Sequence, residues 1–227
     1  MFSIQNETSS WKRGCPNITV PMHSETTILY VADPMCSWCW GFAPSLKALR
    51  ETTPEVQVEI VLGGLAPDTD APMDDSMRSY VQQAWKDVAQ SCQVDFNFDF
   101  WKLCQPRRST YPSCRAVLVA RTLGLESEMF HAIQQAYYQE ARNPSDLEVL
   151  ADVAAKLGIE REGFLAGMQA TETEQALQAD FQLRDELGIR SFPSLCVRHQ
   201  GETKLLHSGW CSPSAMQEIW HLWNSHI

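Results

Sequence analysis

Apolar positions along this chain follow two patterns, short continuous runs near its two ends and helical spacing between them. The runs at 26–32 and 57–62 have the length and composition of buried strands. A helical pattern covers 36–51 between these runs, and Gly63-Gly64 interrupts the order after the second run. The beginning of the chain therefore predicts a strand, a helix and a second strand.

The end of the chain predicts a hairpin followed by a helix. Residues 194–198 and 203–207 read as strands joined by a short connection that contains a glycine. Ser212 and Pro213 are typical of a helix start, as the capping and the first helical residue. The terminal helix places four large apolar side chains on one face: Met216, Ile219, Trp220 and Trp223.

The middle of the chain, residues 67–187, predicts helices almost throughout. An apolar stripe follows the helix-starting pair Asp74-Asp75 and consists of Met77, Tyr80, Val81, Ala84, Trp85 and Val88. Another helix is predicted over 112–123, before Gly124. Apolar residues alternate over 94–100, but no partner strand is evident, so this segment is predicted to be an extended loop.

Two capping-box sequences, at 145–148 and 171–174, predict further helix starts, and Gly158 and Gly188 predict helix ends. The whole order predicts an α/β protein with a central mixed sheet flanked by helices and an all-helical insertion. The predicted division is an N-terminal tail (1–25), a domain made of 26–66 and 188–227, and an insertion subdomain (67–187).

The candidate chemistry is a pair of thiols in the segment Cys36-Ser37-Trp38-Cys39, at the start of the first helix. Unpaired backbone N–H groups and the helix dipole stabilise a thiolate there, so Cys36 is expected to be nucleophilic near neutral pH. Cys39 follows one helical turn later on the same face and can form a disulfide with Cys36. The pair therefore predicts attack on a disulfide and release of the product at one place.

A remote proline makes this pattern specific. Pro193 opens a predicted strand, and proline in such a position is often cis. A strand, a C-x-x-C pair at a helix start and a later X-Pro before a strand together resemble the thioredoxin fold. Asp33-Pro34-Met35 before the pair, Trp40-Gly41-Phe42 after it, and Pro44 within the helix are similar to the DsbA-like thiol–disulfide oxidoreductases, in their cytoplasmic C-S-W-C branch.

This resemblance implies roles for individual residues. Cys36 would be the attacking and Cys39 the resolving cysteine. Pro193 would be a cis-proline that packs against the thiol pair and keeps metal ions away from it, while the backbone of Phe192 would hold a substrate as an added strand. Trp38 has two interpretations, as a wall of the substrate groove or as simple packing over the helix start.

The proton route differs from that of thioredoxins proper, which keep a buried carboxylate in the first strand. The stretch 28–32 has none. Asp33 lies in the following turn, where it is expected either to act through water or only to cap the turn.

The remaining cysteines are expected to be ordinary small residues. Cys92, Cys104 and Cys196 are predicted to be semi-buried, and Cys15 to lie in the tail. Cys114 is a further candidate, since the start of its helix lies over the thiol pair if the resemblance holds. Arg108, Tyr111 or Cys114 would then contact substrate or glutathione, although an ordinary solvated loop is the favoured interpretation of the adjacent arginines.

A zinc site is the structural alternative for a C-x-x-C pair. Four-ligand zinc needs two more cysteines or histidines in a comparable arrangement, and the six histidines are scattered along the chain. No metal and no cofactor is therefore expected, with glutathione left open as a co-substrate.

Composition narrows the class of partners. The 227 residues carry a net charge of −10, which disfavours nucleic acid and anionic membranes, and no long apolar run or secretory signal is found. We therefore expect a cytoplasmic protein that acts on protein or small-molecule disulfides. Two other functions stay open: a glutathione-dependent transferase or isomerase of the kappa type, and a non-catalytic thioredoxin-like binding protein.

Overall fold

The computed structural model describes residues 26–226. Within this range the four strands are β1 (Thr26–Ala32), β2 (Gln57–Leu62), β3 (Ser194–His199) and β4 (Glu202–Ser208). The helices of the same range are α1 (Ser37–Thr52), α2 (Asp75–Cys92), α3 (Phe100–Leu103), α4 (Tyr111–Arg121), α5 (Glu126–Tyr138), α6 (Leu147–Lys156), α7 (Arg161–Met168), α8 (Thr171–Glu186) and α9 (Pro213–Asn224).

The strands form one mixed sheet in the order β2-β1-β3-β4. β1 is parallel to β2 and antiparallel to β3, and β4 runs antiparallel to β3. β1 is buried on both faces because helices cover the sheet from two sides: Leu29 and Val31 pack in one apolar cluster, while Ile28 and Tyr30 pack in another. The predicted thioredoxin-type α/β fold is confirmed.

The helices of the middle segment are attached to the sheet at its β2 edge. α4 packs against α5, α6, α7 and α8, and α8 packs against β2. An ion pair strengthens this attachment, since Arg121 donates to Asp180 (2.9 Å) and the same carboxylate oxygen accepts the Leu62 N–H (2.9 Å). The sheet and the covering helices thus hold the end of β1, where α1 begins, in a fixed place.

Both predicted capping boxes are wrong. The helix near 145 begins at Leu147, because the Ser145 hydroxyl instead donates to the Ser109 carbonyl (2.7 Å). The helix near 171 is capped by Ala170, whose methyl side chain cannot accept a hydrogen bond. The glycine stops are confirmed, since Gly158 and Gly188 adopt φ values of 81° and 69°.

Other predictions in the middle segment hold in part. The apolar stripe of α2 is buried at Val81, Trp85 and Val88, but Tyr80 is 66% exposed, so its inclusion was wrong. Residues 94–99 form no strand, as predicted, but Phe100 begins α3 instead of continuing the loop. The predicted tail, with Cys15, lies outside the described residues, and the division into a two-part domain with an insertion stays a prediction.

Candidate active site

The thiol pair lies where β1 passes into α1. Cys36 is the N-terminal capping residue of α1 in an extended conformation, and its N–H donates to the Asp33 carbonyl (3.0 Å). Cys39 follows one turn later within the helix. The exposed fraction is 6% for Cys36 and 0% for Cys39, so the Cys36 thiol is the more accessible of the two.

The remote proline segment reaches this helix start. The Phe192–Pro193 peptide bond is cis, as the resemblance implied. The Sγ atom of Cys36 lies 3.7 Å from the carbonyl oxygen of Phe192. The Phe192 ring rests against Gly63, where an added Cβ would come within 2.2 Å of the ring. The loop before β3 therefore packs on the loop after β2 and reaches the thiol of Cys36.

A groove of about 190 Å³ opens beside Cys36. Trp38, which is half-buried, and Phe192 lie in its wall. Three cationic side chains line it as well: Arg107, Arg108 and Arg190. The structure thus brings the sequence-predicted residues Cys36, Trp38 and Phe192 to one surface. Cys39 and Pro193, also predicted, are the next residues in sequence after Trp38 and Phe192.

The protonation of the Cys39 thiol is governed mainly by burial. Burial raises the pKa of Cys39 well above the usual range, and a hydrogen bond with Cys36 and the charge of that neighbour act in the same direction. Burial raises the pKa of the neighbouring Tyr30 phenol too, and the interaction of its hydroxyl with Cys39 acts in the same direction. Cys39 is therefore a protonated thiol at neutral pH.

Asp33 is completely buried in the turn before the pair. Its Oδ1 accepts the Met35 N–H (2.8 Å), and its Oδ2 accepts the Leu65 N–H (2.7 Å) and the Thr110 hydroxyl (2.7 Å). Burial raises the pKa of Asp33, against the opposing effect of these hydrogen bonds. The predicted role of Asp33 as a turn cap accounts for the bond from Met35. The bonds from Leu65 and Thr110 connect the turn to the β2–α2 loop and to the start of α4.

Cys114 packs below the same turn. Its thiol lies 3.7 Å from Oδ2 of Asp33, and its side chain is 0% exposed. Burial raises its pKa well above the usual range. The expectation that Cys114 touches a substrate is therefore wrong, whereas Arg108 does line the groove.

The model of the DSBA-like thioredoxin domain matches residues 27–217, which is most of the chain. The protein belongs to this DsbA-like family. The match includes the thiol pair, the cis-proline segment and, apart from Thr26, all residues of the four strands described above.

Two solved structures are similar over nearly the whole of this DsbA-like protein. A protein from Nitrosomonas europaea, provisionally described as a protein disulfide isomerase, is 30% identical, with a TM-score of 0.79 over 89% of this chain and 98% of that one. The cytosolic disulfide reductase DsbM from Pseudomonas aeruginosa is 26% identical, with a TM-score of 0.74 over 88% of this chain and 100% of its own. A second structure of DsbM contains glutathione.

A curated relative is more distant. The ClpXP adapter protein SpxH from Bacillus subtilis is 22% identical over 182 residues, or 77% of this chain. The chain spans about 60% of the length of that adapter.

Residues 26–226 of this DsbA-like protein contain neither a cluster of metal ligands nor a membrane-spanning helix. No group of three or more His, Cys, Asp or Glu side chains in that range is placed to hold a metal ion. None of the helices in the described part of the chain is long and apolar enough to cross a bilayer.

Sequence reasoning missed two members of the site, Tyr30 and Thr110. Tyr30 lies in an apolar run, where an aromatic residue signals only burial, and Thr110 lies 77 positions from its partner Asp33. A usable signal was Asp33 itself, because a carboxylate at the end of a buried strand needs hydrogen-bond donors from other segments around it.

Proposed function

We propose that this protein is a dithiol–disulfide reductase in which Cys36 attacks and Cys39 resolves, acting on protein or small-molecule disulfides with glutathione as the reductant. The observation that carries the proposal is the position of the Cys36 sulfur, at the start of α1 and 3.7 Å from the Phe192 carbonyl oxygen. A sulfur at this position lies within reach of a substrate disulfide that is held along the Phe192 backbone.

The reaction has two exchange steps. The Cys36 thiolate attacks one sulfur of the substrate disulfide, forming a mixed disulfide and releasing the other substrate sulfur as a thiolate that takes up a proton. Cys39 then loses its proton and attacks the Cys36 sulfur, which releases the second substrate thiol and leaves a Cys36–Cys39 disulfide. Two glutathione molecules return the pair to the dithiol and leave as glutathione disulfide.

The burial of Cys39 supports this division of roles. A thiol that is 0% exposed and carries a raised pKa is a poor first nucleophile for an external disulfide. It lies within hydrogen-bonding reach of Cys36 and can attack the mixed disulfide from within the protein. The more exposed Cys36 thiol therefore attacks the substrate first, and the buried Cys39 thiol attacks second.

The groove beside Cys36 suits an anionic substrate. Arg107 is already paired with Asp146, and Arg190 with Asp185 (3.2 Å), which leaves Arg108 as the most direct cation for a carboxylate in the groove. Glutathione carries two carboxylates, and the similar reductase DsbM has been solved with glutathione. The same similarity to a cytosolic protein supports a cytoplasmic location.

A second candidate is a binding protein without turnover, because the distant SpxH relatives are adapters. Reduction of insulin disulfides by glutathione separates the functions. We expect turnover by the wild type and its loss in both Cys36→Ser and Cys39→Ser. Cys104→Ser is the matched control, since its thiol donates to the Ala141 carbonyl (3.1 Å) and serine can keep that bond.

Two results would contradict the reductase. Equal rates for wild type and Cys36→Ser would favour the adapter. Full transfer of glutathione to 1-chloro-2,4-dinitrobenzene by Cys39→Ser, without insulin reduction by the wild type, would favour a glutathione transferase of the kappa type.

A further inference from the structure

The side chain of Tyr30 lies against the first turns of α1. This residue belongs to β1, is 1% exposed, and shares one buried cluster with Cys36, Cys39 and Phe42. Its ring stacks on that of Phe42, with 6.1 Å between the ring centroids, and meets the edge of the Phe130 ring at 6.0 Å. Phe42 follows Cys39 by three positions on α1, so the phenol lies on the face of the helix that carries the resolving thiol.

The hydroxyl group of Tyr30 interacts with the Cys39 side chain. A phenol can donate a hydrogen bond only while it keeps its proton. Burial raises the pKa of Tyr30 well above the usual value of a phenol, so the group stays neutral at neutral pH. A neutral donor therefore faces the resolving thiol.

The resolving step needs such a donor. It requires a negative charge on the Cys39 sulfur, and Cys39 is 0% exposed. A buried charge that water does not reach is costly unless protein groups donate hydrogen bonds to it. Hydrogen bonds to ionised groups are roughly twice as strong as those between neutral partners. A hydroxyl at this place thus stabilises the Cys39 thiolate much more than the resting thiol.

Other titratable and charged groups surround the phenol and the resolving thiol. The backbone of Asp33 hydrogen-bonds to Cys39 and favours its thiolate, whereas the Asp33 carboxylate and the Cys36 thiolate oppose it by their negative charge. Arg50, in the last turn of α1, favours the ionised phenol by its positive charge. Tyr138 on α5 also senses the charge of both cysteines. The phenol is thus a neutral donor in surroundings that include two negative groups.

We propose that the Tyr30 hydroxyl donates a hydrogen bond to the Cys39 sulfur as its thiolate forms, and that Tyr30 thereby accelerates the resolving step. This inference deepens the proposed two-thiol mechanism and rests on it. In the step, Cys39 loses its proton, its sulfur bonds to the Cys36 sulfur, and the bond between Cys36 and the substrate breaks. The two protein sulfurs are oxidised to a disulfide, and the substrate sulfur is reduced to a thiolate that takes up a proton. Tyr30 keeps its own proton throughout.

Stopped-flow mixing of the reduced full chain with 5,5′-dithiobis(2-nitrobenzoate) observes both exchange steps in one trace. Attack by Cys36 releases a first yellow thiolate at a rate proportional to the reagent concentration, and attack by Cys39 releases a second at a rate independent of that concentration. A variant with both Cys36→Ser and Cys39→Ser gives the background from the other cysteines.

Tyr30→Phe keeps the ring and removes only the hydroxyl. We expect the second phase to slow about tenfold or more at pH 7, the value of a hydrogen bond to a charged group, while the first phase changes less than about twofold. A disturbance of the start of α1 would instead slow both phases. If Tyr30→Phe fails to fold, 3-fluorotyrosine in place of Tyr30 keeps the test decisive, because its more acidic hydroxyl is a stronger donor and should accelerate the second phase.

Tyr138→Phe is the matched control. Tyr138 is also 0% exposed, and its ring stacks on Trp40 (5.7 Å between centroids), but its hydroxyl has no hydrogen-bond partner within residues 26–226. Both phases of this variant should stay within about twofold of the wild type, since no hydrogen bond is lost.

The proposal is overturned if Tyr30→Phe leaves the second phase unchanged or slows both phases equally, or if 3-fluorotyrosine slows the second phase. An equal loss in Tyr138→Phe overturns it as well. Absence of both phases in the wild type would contradict the two-thiol mechanism itself and this inference with it, so the failure of Tyr30 alone is distinguishable from the failure of the proposed function.

Discussion

The Thr110 hydroxyl donates a 2.7 Å hydrogen bond to Oδ2 of Asp33, joining residues 77 positions apart. Thr110 immediately precedes α4, and Asp33 immediately precedes the turn that leads to Cys36. The start of α4 and the turn before the thiol pair are therefore joined by a buried polar contact three residues before Cys36.

Replacement of Asp33 by asparagine should lower the free energy of unfolding by about 2 kcal/mol near pH 4. The NH2 group of asparagine would replace one carboxyl oxygen, and it would face N–H or O–H donors from which that oxygen now accepts hydrogen bonds. Burial raises the folded-state pKa of Asp33 above its usual 3.8. The wild type therefore loses stability as pH rises through that folded pKa, and the variant does not. The difference should shrink between pH 4 and pH 7 in urea denaturation.

Asp74→Asn is the control for this experiment. Asp74 caps α2 by accepting the Met77 N–H (2.7 Å), and asparagine caps helices equally well. A penalty for Asp33→Asn that grows from pH 4 to pH 7 would contradict the burial argument.

Gly63→Ala should reduce the catalytic efficiency for disulfide reduction, by about tenfold or more if the Phe192 ring shifts by an ångström. The added Cβ would come within 2.2 Å of that ring, so the ring and the carbonyl beside Cys36 must move. Steady-state reduction of insulin measures the effect. Gly163→Ala makes the same change in α7, where only a flexible Glu160 oxygen lies at 3.3 Å, and equal losses in both variants would refute the explanation.

Arg108→Gln should raise KM for glutathione several-fold, since a partly exposed ion pair contributes up to about 1 kcal/mol. The neutral 2-hydroxyethyl disulfide should be affected little. Arg142→Gln provides the control, because Arg142 pairs with Asp152 (2.7 Å) away from the groove. Equal increases for the anionic and the neutral substrate would mean that Arg108 does not bind a carboxylate.

The resolving step should accelerate with pH throughout the range in which the protein is folded. Burial raises the pKa of Cys39 well above that of an ordinary thiol, so the reactive thiolate increases about tenfold per pH unit below that pKa. Rapid mixing of a preformed mixed disulfide between Cys36 and glutathione gives the rate of glutathione release. A plateau between pH 6 and pH 8 would show instead that Cys39 ionises easily.

Local patterns were sufficient to predict the sheet and the thiol pair. Strand β1, helix α1 and strand β2 follow from continuous apolar runs, helical spacing and the Gly63-Gly64 break, all of which act over a few residues. The spacing of Cys36 and Cys39 likewise determines that both lie on one face of a helix start.

Contacts over long distances in sequence explain what was missed. The Ser145 hydroxyl binds the Ser109 carbonyl rather than capping a helix, so a local capping rule failed at that position. The burial of Asp33 depends on Leu65 and Thr110, which lie 32 and 77 positions away. No local pattern contains those partners.

Mass spectrometry of a trapped intermediate tests the central claim most directly. Cys39→Ser is mixed with a peptide disulfide, quenched with acid and digested, and the modified cysteine is located by peptide mapping. The account predicts one peptide attached through a disulfide to Cys36, and none in Cys36→Ser. Attachment at another cysteine, or a Cys39→Ser protein that forms no mixed disulfide, would contradict it.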